Sequence, residues 1–141
     1  MTRRPRVLVT GSRTFTDVTV IRDALAVVWQ RFPGAVLVSG ARGRGADLLA
    51  EQCWTHWGGT VERWPTDWRG PCATSCPPAH RRRGERGESI CPAAGMTRNA
   101  AMVLAGADVC LAFIRDRSRG ATHCATAAQR AGIPTTIHRH H

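Results

Sequence analysis

The chain has 141 residues, 43% of them hydrophobic, and a formal net charge of +10 that comes from 20 basic residues, all arginine. That length allows one core and leaves no room for a second large domain. No apolar run approaches the roughly 20 residues of a membrane span, and the basic start leads into a strand pattern rather than a signal-peptide core. The expectation is a single cytoplasmic domain over residues 1–141 with no membrane contact. The surplus of arginine favours anionic partners, either a nucleotide or a nucleic-acid backbone.

Arg6 to Thr10 (RVLVT), bounded by Pro5 and Gly11, reads as the first strand. Gly11-Ser12-Arg13 follows it. Thr16 or Asp17 can cap a helix over 18–32, whose apolar residues recur at Val20, Ile21, Leu25, Val28 and Trp29, and Pro33-Gly34 stops it. Residues 35–39 (AVLVS) form a second strand pattern, and the loop after it carries Gly40, Gly43 and Gly45 before a helix that starts near Ala46 and runs to about Trp57. A strand that ends in glycines and turns at once into a helix is a simple phosphate cradle. Glycine lets the backbone approach, successive N–H groups point inward, and the helix N-terminus adds partial positive charge. Arg42 and Arg44 would add to the pull. The same residues also fit an ordinary strand-to-helix turn, and their GxxGxG spacing is neither the dinucleotide fingerprint nor a P-loop, which would need a lysine. Asp47 either caps the second helix through its N–H groups or contacts a ribose.

Thr60 to Trp64 is a weaker third strand, placed near the sheet edge by its alternation. From Pro65 to Ala94 no hydrophobic period survives, and Pro65, Pro71, Pro77, Pro78 and Pro92 all fall there. A stretch of about thirty residues without regular structure is unusual in a compact domain. Within it, Cys72, Cys76, His80 and Cys91 are spaced CxxxCxxxHx10C. Three thiolates and an imidazole suit tetrahedral zinc, and a closed set of four ligands is structural. Zinc binding would also contribute folding free energy where a core is lacking. The competing reading is free thiols on a disordered loop. Held as a knuckle, the segment would present Arg81, Arg82, Arg83 and Arg86 as a basic finger, either a lid over a nucleotide or a contact for nucleic acid. His56 and His123 are less suited as ligands. Cys53, Cys110 and Cys124 stand singly in regular runs and read as small core residues.

Periodicity resumes at Gly95, with Thr97 as the cap of a helix through Ala105 and Arg98 and Asn99 in its first turn. Residues 107–114 (ADVCLAFI) are nearly continuously apolar, as expected of a central parallel strand covered on both faces. A loop over 115–120, a helix over 121–131 ended by Gly132, and a last strand from Ile133 to His138 complete the chain. The order βαβαβ, insert, αβαβ predicts an α/β, Rossmann-like, doubly wound parallel sheet of five strands with a Cys/His-rich zinc-knuckle insert. Ligands bind beyond the carboxyl ends of such strands. Gly11-Ser12-Arg13, Gly40-Ala41-Arg42-Gly43 and Ser118-Arg119-Gly120-Ala121-Thr122 each pair glycine with a hydroxyl or a guanidinium at such an end, and are expected to converge on one anion site.

Arg98-Asn99-Ala100-Ala101-Met102, the run from Gly106 to Phe113, and Ser118 to Thr122 resemble the SLOG superfamily. These are Rossmann-like nucleotide-binding domains that include the Lonely Guy phosphoribohydrolases and the DNA-processing protein A family. Thr10-Gly11-Ser12-Arg13 and Gly43 to Asp47 (GRGAD) resemble a smaller branch found in actinobacteria and their phages. The resemblance implies that Gly11, Ser12 and Arg13 line the site, that Gly40, Arg42, Gly43 and Gly45 supply N–H groups and charge, that Arg98 and Asn99 face the crevice, and that Ser118, Gly120 and Thr122 close on the phosphate. Hydrolytic members carry an arginine in RKxxM and a glutamate in a PGGxGTxxE loop. Here Arg98 is followed by Asn99, and Ala125 stands at the glutamate position, where alanine can neither handle a ribose hydroxyl nor stabilise oxocarbenium-like charge. The resemblance therefore implies a nucleotide-binding sensor or accessory domain. The alternatives are an N-glycosidic hydrolase with an unfamiliar acid such as Asp47 or Asp116, and a nucleic-acid-binding module. A homodimer through the helices is an arrangement that such relatives adopt.

Overall fold

Strand β1 (Arg6–Gly11) leads into helix α1 (Val18–Arg31), followed by β2 (Val36–Ser39), α2 (Ala46–His56), β3 (Thr60–Arg63), two short strands β4 (Arg82–Arg83) and β5 (Ser89–Ile90), α3 (Ala94–Leu104), β6 (Val109–Arg115), α4 (Arg119–Arg130) and β7 (Thr135–His140). The computed structural model describes residues 3–140. The main sheet has the order β3-β2-β1-β6-β7, and every pairing in it is parallel. The doubly wound architecture of five strands is therefore as the sequence predicts.

The two central strands decide which helix goes where. Side chains alternate across a strand, so Val7, Val9, Val109, Leu111 and Phe113 face one side, against Ile21 and Leu25 of α1 and Ala50 and Trp54 of α2. Leu8 and Cys110 face the other side with Met102 and Val103 of α3 and Cys124 and Ala128 of α4, and Ala112 and Ile114 pack there against Ala121 and Ala125. Both faces are thereby covered, which is what the continuous apolar run of β6 requires. Cys110 and Cys124 are fully buried core thiols, and burial pushes the Cys124 thiol up to about 11. No helix among the described residues is long and apolar enough to cross a membrane.

Three local features differ from the sequence reading. Helix α3 begins at Ala94, so Thr97 lies inside it and its hydroxyl donates to the Ala93 carbonyl at 3.2 Å; Arg98 and Asn99 consequently occupy the second turn. Ile133 belongs to the end of α4. Its N–H bonds the Ala128 carbonyl while Gly132, at φ 82°, bonds that of Gln129, a Schellman closure that delays β7 to Thr135. The 65–94 segment is also not wholly irregular, because β4 and β5 pair as an antiparallel hairpin.

At the opposite end of the sheet from the loops that follow the strands, Arg6 joins β1 to β3 across β2. Its guanidinium donates to both oxygens of Glu62 at 2.9 and 2.7 Å and to the Gly106 carbonyl at 2.8 Å. These bonds, helped by the Trp64 indole N–H, hold the Glu62 carboxyl well down, to about 2. An ordinary glutamate titrates near 4.3. A folded value below the unfolded one gives stability that is present above about pH 4.3 and is lost as the pH falls towards 2. The Glu62 side chain keeps 39% of its exposure, and after solvent screening the pair is worth about 1 kcal/mol. Glu62→Gln should therefore lower urea-unfolding stability by about that amount at pH 7 and by almost nothing near pH 2; an equal loss at both pH values would contradict the assignment.

Candidate functional site

The loops after β1 and β2 meet with no side chain between them. Gly45 has φ 76° and ψ −150°, a conformation open essentially to glycine alone, and a Cβ there would collide with the Ser12 and Arg13 carbonyl oxygens. A Cβ at Gly11 would collide with Ala46. The Ala46 N–H bonds the Ser12 carbonyl at 3.2 Å, which seats the start of α2 on the end of β1. The Ser12 hydroxyl is buried and turned towards β6, where it accepts from the Arg115 N–H at 2.8 Å. These contacts set the rim on which the charged groups stand.

Arg98 reaches from α3 to that rim. Its guanidinium donates to the Gly40 carbonyl, to the Trp64 carbonyl at 3.0 Å and to Asn99 Oδ1 at 2.8 Å. A Cβ at Gly40 would fall 2.7 Å from a guanidinium nitrogen, so the glycine is what lets the arginine in. Asn99 Nδ2 in turn donates to the Gly120 carbonyl at 3.2 Å, and a Cβ at Gly120 would lie 3.7 Å from the Arg42 guanidinium. The three glycine-bearing turns thus come together along one edge, joined through α3.

The electrostatics there are lopsided. Burial lowers the pKa values of Arg42 and Arg98, and Arg42 is lowered further by the nearby charges of Arg13 and Arg98. The facing carboxylate is Asp47, in the first turn of α2 and 3% exposed. Burial pushes it up to about 6 against the pull of Arg98, and its Oδ1 has no hydrogen-bond partner. The helix N-cap itself is Gly45, which provides no side-chain cap.

A cleft of about 1010 Å³ opens beside this cluster. Arg13, Gly40, Arg42, Gly43 and Arg44 form one wall, while Asp67, Trp68, Glu85 and Arg86 from the 65–94 segment form the other. The remaining expected residues lie around it. Gly11, Ser12, Gly45 and Asp47 pack behind the first wall, Arg98 and Asn99 bridge the loops, and Ser118 is the N-cap of α4. The Thr122 hydroxyl donates to the Ser118 carbonyl at 2.6 Å, and Thr122 lines a separate hollow of about 480 Å³ with Met96, His123 and Arg139. Ala125 is buried against the sheet. The sequence reading did not pick out Asp67, Trp68 and Glu85. A signal existed for the first two, since they follow the carboxyl end of β3 just as the glycine turns follow β1 and β2.

The ligating atoms of Cys72, Cys76, His80 and Cys91 all lie within 4.8 Å of one another, a geometry compatible with a metal site. The Cys76 and Cys91 sulfurs are 3.9 Å apart, and all three thiols are free. His80 Nε2 is buried with no hydrogen-bond partner. Arg81, expected on an exposed finger, points inward and donates to the Gly70 carbonyl, the Ser89 hydroxyl and the Ser89 carbonyl at 2.8, 2.7 and 2.9 Å. Arg82, Arg83 and Arg86 are exposed.

The chain is similar in sequence and in fold to known proteins. The model of the family described as YspA, cpYpsA-related SLOG matches residues 5–70. The Gene 61 protein of Mycobacterium phage D29 is 42% identical over 130 residues, covering 92% of each chain. Among solved structures, the molybdenum cofactor binding protein of Rippkaea orientalis superposes with a TM-score of 0.66 at 19% identity, over 100% of this chain and 80% of that one. DNA processing protein A from Helicobacter pylori, described by its single-stranded DNA binding mode, gives 0.61 at 16% identity, over 95% of this chain and 65% of that one.

The backbone at the rim provides a direct check. Gly45→Ala should destabilise the fold by about 2–3 kcal/mol in urea unfolding, from the strained conformation and the clash together. Gly43→Ala, where a Cβ meets nothing within 4 Å, should change stability by less than about 0.5 kcal/mol. Equal effects would show that the close approach of the two loops is not what fixes Gly45.

Proposed function

The chain belongs to the SLOG superfamily, and from that premise we propose that it is a single nucleotide-binding domain of sensor or accessory type, with a structural zinc ion in its insert. The nucleotide or nucleotide-derived ligand would lie in the cleft at the carboxyl ends of β1 and β2. The observation that carries this reading is the crowding of Arg42 by Arg13 and Arg98 next to glycine turns, opposed by the buried carboxylate of Asp47. An oxyanion placed there would accept charge-assisted hydrogen bonds and relieve the repulsion among the guanidinium groups. The structural neighbours, one a cofactor-binding protein and one a single-stranded DNA binder, are compatible with a small anionic ligand or a nucleic acid.

Zinc suits the cysteine cluster on the chemistry of its donors. Tetrahedral Zn–S bonds of about 2.3 Å hold two sulfurs roughly 3.8 Å apart, against 3.9 Å between Cys76 and Cys91. The orphaned His80 Nε2 would gain a partner. With Cys72, Cys76, His80 and Cys91 as four protein ligands the ion would be closed to substrate, and its contribution is to hold the insert in place.

A nucleic-acid contact is favoured by one separate observation, the exposure of Arg82, Arg83 and Arg86 on the hairpin beside the cleft. It requires binding that weakens steeply with salt, with a slope that becomes shallower by about one phosphate contact for each arginine neutralised.

Purified protein should contain one zinc per chain by elemental analysis and lose melting temperature on chelation; no zinc and no loss would remove the metal. A panel of nucleotides at millimolar concentration should raise the melting temperature, and Arg42→Ala should weaken binding about tenfold, as expected for loss of one charge-assisted bond. A flat response to the whole panel would refute the nucleotide reading.

A further inference from the structure

One wall of the cleft is basic, and the other, which also carries Arg69, Arg86 and Glu88, is mixed and brings carboxylates that the first wall lacks. Arg13, Arg42 and Arg44 stand on the side of the β1 and β2 loops, and Asp67 and Glu85 on the side of the insert. Among the described residues none of these five side chains enters an ion pair, and neither of the two carboxylates accepts a hydrogen bond. Charges of both signs therefore face one cavity without neutralising each other.

Trp68 belongs to the insert wall, where one contact holds its backbone and two meet its ring. Its carbonyl accepts from the Cys91 N–H at 2.8 Å, its ring packs where a Cβ on Gly95 would come within 3.2 Å, and the Arg42 guanidinium sits 6.0 Å from the ring centroid. An aromatic ring held in this way is a stacking surface for a base, since every base has a π-face. Ionised carboxylates only accept hydrogen bonds. They favour a base edge that carries N–H donors and disfavour one that presents a carbonyl oxygen in the same place.

The geometry points to the insert as the base-reading half of the site. Trp68 stacks the base, Asp67 and Glu85 accept from its exocyclic amine, and Arg13 and Arg42 hold the phosphate, so that the ligand class is a nucleotide with an amino-bearing base. This rests on the nucleotide reading of the cleft. It adds that discrimination among nucleotides resides in residues 67–85 rather than in the glycine turns.

Calorimetry with AMP, GMP, IMP and ribose 5-phosphate on the zinc-loaded protein tests it. GMP and IMP differ only in the exocyclic 2-amine, and AMP carries an amine where IMP carries an oxygen. At least one of AMP and GMP should bind about tenfold tighter than IMP, as one net hydrogen bond allows. The double variant Asp67→Asn with Glu85→Gln should lose that preference, retain its zinc, and bind ribose 5-phosphate as the wild type does. Trp68→Leu should weaken every nucleotide and leave ribose 5-phosphate unchanged. If all the nucleotides and ribose 5-phosphate bind with similar affinity, or the preference survives in the double variant, the base-reading role of the insert is refuted while the phosphate cleft stands. If none of the four binds, the cleft reading falls and this inference with it.

Discussion

The Arg98 guanidinium is the interaction on which the site depends. It bonds the carbonyls where β2 and β3 run out, at Gly40 and Trp64, and the neighbouring Asn99 passes the connection to Gly120 at the start of α4. A buried guanidinium is stable only when its donors are matched and its charge is faced by another. Backbone carbonyls do the first, and Asp47 on α2 does the second. Elements from both faces of the sheet therefore agree on the position of one cation. Because Arg98 is already engaged, the charges that the β1 and β2 loops leave facing the cleft are those of Arg13, Arg42 and Arg44.

The insert is ordered by different means. It has few apolar residues to bury, and polar ties replace a core. Arg81 gathers carbonyls from residues 69, 70 and 89, the hairpin is closed by the Gly84 N–H on the Glu88 carbonyl at 2.8 Å, and the three cysteines and His80 converge. Such a set has little stability until its last member is satisfied, so a metal held by those residues would steady the wall of the cleft as a whole.

Much of the architecture was legible because burial imposes period. The run from Val109 to Ile114 could belong only to a strand covered on both faces, and Gly11, Gly40 and Gly45 marked places where backbone approaches backbone or a guanidinium. Other details depended on contacts distant in sequence. Gly95 marks the return of period in the sequence, yet only the fold shows that it lies inside α3 where a Cβ would press on the Trp68 ring. The Ser12 hydroxyl looks like a phosphate ligand in its own loop and is instead bonded to Arg115, 103 residues away. Glu85 lies in a stretch with no period, and only the folded chain places it opposite the arginines.

The strand order has a consequence for the nascent chain. β1 can pair with β2 once both are synthesised, but its other edge has no partner until β6 is made, whose Val109 lies opposite Val7. An apolar strand with one open edge is a template for unwanted pairing while the rest of the chain emerges. The residues made during that wait include the proline-rich, arginine-rich stretch between β3 and α3, a poor partner for a strand edge.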